Sequence, residues 1–324
     1  MTTTPADTGL RQRIHPGRAA LRAVAIAACV PYLGLKISWI AGSRVGIPDG
    51  SALLDHRVLM ALANSVTVLM DGAVVVLAML LTRPWGLRVR AWLLTVPMWG
   101  ATGLLAPIMV GFPLQQIGVA FGGTRTQDSA EPFLHDWVFA VVYGGFILQG
   151  LALGTLFVLY AKDRWGHLWR GKVWDLPTGV TGAFMRRTAV AGSLLALFPA
   201  VMHGLWATGS TVALSAERAA QRTTDFYLLE ATRIGFIGVA VTGVLLLAFR
   251  LRPTLSVRSP LAMAWVGSSA LGAWGGWMLL ASLMPDGDEG KSSSALLVLT
   301  YIGEMITGLL LTCAVASLLR RRGA

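Results

Sequence analysis

An all-α bundle of membrane-spanning helices is the fold this sequence predicts, and three observations carry that prediction. Hydrophobic residues fill 55% of the 324 positions and charged residues only 13%, against roughly 45–50% and 25% in a soluble domain. The apolar residues gather into runs of about 20, the length that crosses about 30 Å of hydrocarbon. The 27 Lys and Arg residues fall almost entirely in the gaps between those runs. With a mean hydropathy of +0.63, a water-soluble globular protein and a disordered or collagen-like chain are excluded. Backbone groups in hydrocarbon must pair within their own segment, and the alternation of a barrel strand is absent, so the runs are expected to be helices.

Eight runs qualify as spans, at approximately 21–43, 58–81, 91–112, 136–160, 188–209, 226–249, 261–284 and 294–317. The first follows Arg11, Arg13, Arg18 and Arg22 and has the outline of a signal peptide, but no convincing small-residue cleavage site follows it. The second ends at Arg83 and Pro84 and the sixth at Arg252 and Pro253. Pro107 in the third and Pro199 in the fifth are positions for a kink, while no pair of obviously broken helices is expected. The fourth and seventh carry G-x-x-x-G pairs, Gly150 with Gly154 and Gly272 with Gly276, which permit close helix contact. The eighth runs into Arg320, Arg321 and Arg322.

Orientation follows from the basic residues, because short cytoplasmic loops retain them. Nineteen of the 27 lie before the first span, after the second, in the central loop, after the sixth and at the end of the chain. Alternate gaps hold only Arg44, Arg57, Arg125, Arg218, Arg222 and Lys291, and the spans hold Lys36 and Arg233. Both termini are therefore expected in the cytoplasm, and the net charge of +11 reads as a topology signal with no nucleic-acid partner. Arg outnumbers Lys by 23 to 4 beside abundant Ala, Gly and Leu. That usage suits a bacterium with a high G+C genome, hence the bacterial cytoplasmic (inner) membrane.

Laid without gaps on His203 to Val212, the segment Lys36 to Val45 pairs Trp39 with Trp206, Gly42 with Gly209, Ser43 with Ser210 and Val45 with Val212. Tyr143 to Leu153 likewise matches Tyr301 to Leu311 at Tyr143 and Tyr301, Gly145 and Gly303, and Gly150 and Gly308. These matches predict an internal duplication. The expected organisation is a basic tail over 1–20, a four-helix repeat over 21–160, a linker over 161–187, a second repeat over 188–319 and a basic tail over 320–324. An even number of spans per repeat makes the two parallel, related by an axis along the membrane normal. Trp165, Trp169 and Trp174 fit a linker lying on the membrane interface.

Charge inside a span costs about 2.5 to 3.5 kcal/mol on insertion scales, so each embedded ionisable group is a candidate site. Lys36, Asp71, His203, Glu230, Arg233 and Glu304 qualify, with Asn64 and Gln149 as polar companions; together they are the candidates for substrate binding or proton relay. Helical spacing groups Tyr32, Lys36 and Trp39 on one face, Asn64 and Asp71 on another, and Tyr301 with Glu304 on a third. Glu230 and Arg233 are placed to pair within one turn. Tyr32, Trp39, Tyr143, Trp206 and Tyr301 are the candidate cavity-lining aromatics. Two cations against three carboxylates leave one negative charge, which either a proton on His203 or a proton on a carboxylate balances.

Cys29 and Cys313 sit within apolar runs and form neither a disulfide framework nor a redox pair. Asp55 with His56 and His135 with Asp136 lie at the outer mouths of spans, but their spacing is no known ligand pattern, so no metal and no cofactor are expected. Haem is disfavoured because only His203 is embedded. Walker A, H-E-x-x-H, G-x-S-x-G and aspartate-rich prenyl-diphosphate motifs are all absent, so the catalytic residues of any enzyme stay unknown. Three functions fit. The favoured one is binding or transport of a small molecule or lipid through a polar cavity in the outer half of the membrane, with proton coupling; its partners are the bilayer and that ligand, and protein partners are unspecified. The others are an intramembrane enzyme acting on a lipid or lipid-linked substrate, and a non-catalytic membrane subunit or immunity-type protein.

Overall fold

The computed structural model describes residues 15–49, 51, 54, 57–124, 134–177, 179–220, 222–283 and 294–323, apart from the side chains of Arg57, Leu59 and Glu217. Every named element is helical, and among the described residues the sole β feature is an isolated bridge between Lys172 and Ser256. Helices α1 (Pro16–Ile40), α2 (Arg57–Leu80), α3 (Ala91–Ala120) and α4 (Asp136–Trp165) form the first half of the chain. The second half holds α5 (Ala183–Leu195), α6 (Leu197–Ala207), α7 (Ala216–Ala220), α8 (Thr224–Ala248), α9 (Arg258–Ser269), α10 (Gly275–Ser282) and α11 (Ala295–Gly323).

Seven helical stretches among the described residues are long and apolar enough to cross a membrane, with α5 and α6 counted together over Ala183–Ala207. They correspond to the expected spans, with one departure. The segment expected as a single helix over 261–284 is interrupted by a π-helical stretch, Ala270–Trp274, between α9 and α10, so no unbroken α-helix of spanning length forms there. Such bulges disturb the regular ladder and recur at functional sites. The span around Pro199 also breaks, at Ala196, because proline has no N–H to offer the Leu195 carbonyl. Pro97, Pro107 and Pro113 are by contrast accommodated within α3.

Helix α1 packs on α2 and α4, and α11 packs on α5, α9 and α10. Helix α3 lies between the halves, touching α4 on one side and α8, α9 and the π segment on the other. Glycines set these close approaches. A Cβ at Gly103 of α3 would overlap the Ser269 carbonyl oxygen, and one at Gly308 of α11 would overlap the Gly272 backbone. Large apolar side chains such as Val58, Leu62 and Leu69 on α2 are exposed on the outside of the bundle, as expected where lipid is the solvent.

The start of α1 and the end of α11 lie at the same end of the bundle, here the near end, each against the end of α4 or the segment that follows it. Arg18 pairs with Asp163 at the end of α4, and Arg321 donates to the Gly179 carbonyl at 2.8 Å. Helix α4 runs to Trp165 and α5 begins at Ala183, and backbone hydrogen bonds hold part of the segment between them. Val173 N donates to Leu255 O at 2.8 Å and Trp174 N to Pro253 O at 3.0 Å. Trp174 stays largely exposed, suiting an interfacial position.

Candidate functional site

The embedded charges fall into two separate networks. In the first half, Lys36 Nζ donates to Asp71 Oδ2 at 3.0 Å. Tyr32 Oη lies 3.0 Å from Asp71 Oδ1 and 2.6 Å from Gln149 Oε1, tying α1, α2 and α4 together. The ammonium also sits 4.8 Å from the Tyr32 ring centre and 5.7 Å from that of Phe146. All four polar residues are buried. The set is electrically neutral and its charged atoms are partnered, which is what burial of an ion pair requires.

In the second half, His203 is fully buried on α6 between two carboxylates. Its Nδ1 lies 2.5 Å from Glu230 Oε2 on α8 and its Nε2 lies 3.0 Å from Glu304 Oε1 on α11. Arg233, one turn beyond Glu230, donates to Glu304 Oε2 at 3.0 Å and stands over the Tyr301 ring at 5.6 Å. The expected pairing within one turn, Glu230 with Arg233, is thus replaced by two pairings between helices. Both ring nitrogens face acceptors, a geometry satisfied by a proton on each nitrogen or by a proton on one carboxylate. With one such proton, the four groups sum to zero charge. Because the carboxylates sit on opposite ring nitrogens they do not converge as metal ligands, and among the described residues no group of three does so.

The second network reaches a cavity. A space of about 610 Å³ opens between α3, α4, α8, the π segment and α11, within the size range of small-molecule sites. Pro107, Gly111, Phe112 and Gln115 of α3 line one wall; Asp136, Phe139 and Tyr143 of α4 line a second. Asp225, Thr232 and Arg233 of α8, Leu271 and Trp274 of the π segment, and Glu304 complete it. Arg233 and Glu304 each lie nine residues into their helices, about 14 Å from the helix starts at 1.5 Å per residue.

Of the candidate residues, Arg233, Glu304 and Tyr143 line this cavity; His203 and Glu230 stand behind its wall. Tyr32, Lys36, Asp71 and Gln149 belong to the sealed network. Trp39 packs with Ile47 and Val138, while Trp206 packs with Met202, Leu297 and Tyr301, so these three aromatics, Trp39, Trp206 and Tyr301, are core and not lining. Asn64 donates to the Met60 carbonyl at 2.9 Å on its own helix and joins neither network. Asp55 and His56 lie outside the described residues. Sequence reasoning missed Gln115, Phe112, Phe139 and Thr232. The available signal was the i, i+4, i+8 spacing of Pro107, Gly111 and Gln115, a low-bulk, polar-ended stripe on an otherwise apolar helix.

Local geometry repeats between the halves. Trp39 Nε1 donates to Val45 O at 2.7 Å and Trp206 Nε1 to Val212 O at 2.8 Å. Each tryptophan is followed by a glycine with left-handed φ, Gly42 at 92° and Gly209 at 98°, which a side chain would strain. Lys36 and His203 both lie four residues before the ends of their helices, α1 and α6. The chain matches no protein family, no curated protein and no solved structure. It is an all-helical protein with helices suited to spanning a membrane.

Proposed function

We propose that this integral membrane protein binds or transports a small molecule or lipid in the cavity between two parallel four-helix halves, coupled to a proton on the His203 network. The observation that carries this reading is the meeting of a cavity with a buried titratable network at the Arg233 and Glu304 wall. A neutral ligand site needs no such network behind it, and a purely structural network needs no cavity in front.

Counting α9, the π segment and α10 as one crossing gives eight spans, and the shared near end of α1 and α11 supports an even number. The matched tryptophan turns support duplication, and in each half the network spans the first, second and fourth helices. The concentration of basic residues at the near end supports cytoplasmic termini in a bacterial inner membrane, which sets the cavity in the outer half. A structural role is favoured for the Lys36 network alone, since its charged atoms are paired with one another and none of its residues lines the cavity.

Native mass spectrometry of the protein released from nanodiscs tests the reading. A co-purified molecule retained by the wild-type chain and lost on Ala140→Trp, which fills the cavity from α4, is the expected result. Retention unchanged by that substitution contradicts it.

A further inference from the structure

The geometry points to a lipophilic cation as the ligand, exchanged against the single proton of the His203 network; this assignment rests on the cavity being a ligand site. The charge count leads to it. Glu230 and Glu304 from α8 and α11 contribute two negative charges and Arg233 from α8 one positive, so the network is neutral with one proton and negative without it. Among the described residues, Trp206 stands edge-on to the imidazole at 5.2 Å, and the Tyr301 hydroxyl accepts from the guanidinium of Arg218 at 3.3 Å, outside the four-group network. Neither changes that sum while Tyr301 is un-ionised.

A net charge held at this depth is strongly disfavoured. When a cation settles against the cavity wall, release of the one proton restores neutrality. An anion there gives the reverse situation: the protonated network is already neutral, and a further proton has to be taken up to balance the newcomer. A neutral ligand calls for no proton movement at all. The hand-off has a route, because Glu304 Oε1 faces His203 Nε2 at 3.0 Å while Glu304 also lines the cavity. The proton leaves His203 for Glu304 and then passes to water in the cavity as the cation arrives.

The remaining lining fits a cation with apolar substituents. Phe112, Tyr143 and Phe139 form a continuous aromatic wall, with ring centres 5.0 and 6.0 Å apart, and Trp274 stands across the cavity. Ring faces attract cations while tolerating their apolar groups. Arg233 does not oppose this, since its charge is matched by Glu304. Asp136, exposed at the start of α4, and Asp225, buried near the start of α8, add two carboxyl groups to the lining.

The test is a calorimetric titration of the full chain in lipid nanodiscs with tetraphenylphosphonium and with tetraphenylborate, probes of the same shape and opposite charge, with empty nanodiscs subtracted. Repeating it in buffers of different ionisation enthalpy counts protons. The expected result is cation binding at least roughly tenfold tighter than anion binding, release of about one proton per cation, and affinity that rises with pH. His203→Gln is expected to remove the proton release. If that variant does not fold, the wild-type proton count still decides the matter. Equal or tighter binding of the borate, or cation binding without proton release, overturns the assignment. Borate binding that is lost on Ala140→Trp ends the cation assignment but leaves the ligand cavity standing; binding of both probes unaltered by Ala140→Trp ends both.

Discussion

Trp39 and Trp206 make the same hydrogen bond, each indole N–H donating to the carbonyl six residues further on, at 2.7 Å to Val45 and 2.8 Å to Val212. Each bond closes the turn after a helix whose preceding turn carries a buried basic residue, Lys36 in one half and His203 in the other. The same local device thus presents different chemistry: an ammonium locked to Asp71, and an imidazole between two carboxylates.

Replacing either indole by phenylalanine leaves the acceptor carbonyl without its partner while keeping most of the apolar bulk. Trp39→Phe and Trp206→Phe are each expected to lower stability by about 1 kcal/mol. Thermal unfolding of the purified variants checks this. A loss confined to one of them contradicts the equivalence of the two turns.

The Lys36 and Asp71 pair is expected to behave as packing. Lys36→Met alone strands the buried Asp71 carboxylate and is expected to cost about 3–5 kcal/mol, whereas Lys36→Met with Asp71→Leu recovers most of it. Ligand retention in the cavity is expected to survive the double substitution. Loss of ligand from a well-folded double variant would show that the first network takes part in binding.

Glycine contacts around the π segment give a contrast within one residue type. Gly103→Ala and Gly308→Ala each place a methyl group into backbone across the helix interface and are expected to destabilise by about 1–3 kcal/mol. Gly154→Ala meets nothing within 4 Å and is expected to be silent. Unfolding temperatures of the three variants decide it.

Most of the spans were legible in the sequence because hydrocarbon imposes one requirement on every segment, an apolar run with its backbone bonds closed internally. The embedded charges were legible for the same reason: Asp71 and Glu304 stand out against leucine and valine. Their partners were not. Arg233 chooses Glu304 on another helix over Glu230 on its own, a choice set by how α8 and α11 rotate against each other. The π segment was hidden because it depends on Gly103, Trp99 and Gly308 pressing on 269–272 from two neighbouring helices. Most of the cavity lining was missed because it consists of ordinary aromatic and small residues, made distinctive only by the space they leave.

Sidedness has a direct check. Reporter fusions in the segment between α4 and α5 are expected to read cytoplasmic, and fusions in the turn after Ala207 to read extracytoplasmic. The opposite pattern would turn the cavity to the inner half of the membrane and remove the argument from basic residues.

The proposed function requires a ligand in the cavity against the Arg233 and Glu304 wall. A cryo-EM map of the full chain in lipid nanodiscs tests it most directly. Density for a bound molecule is expected between Phe112, Tyr143 and Trp274, reaching to Arg233 and Glu304. A collapsed, dry interior in which α3, α8 and α11 close on one another, with no space beside Glu304, would contradict it.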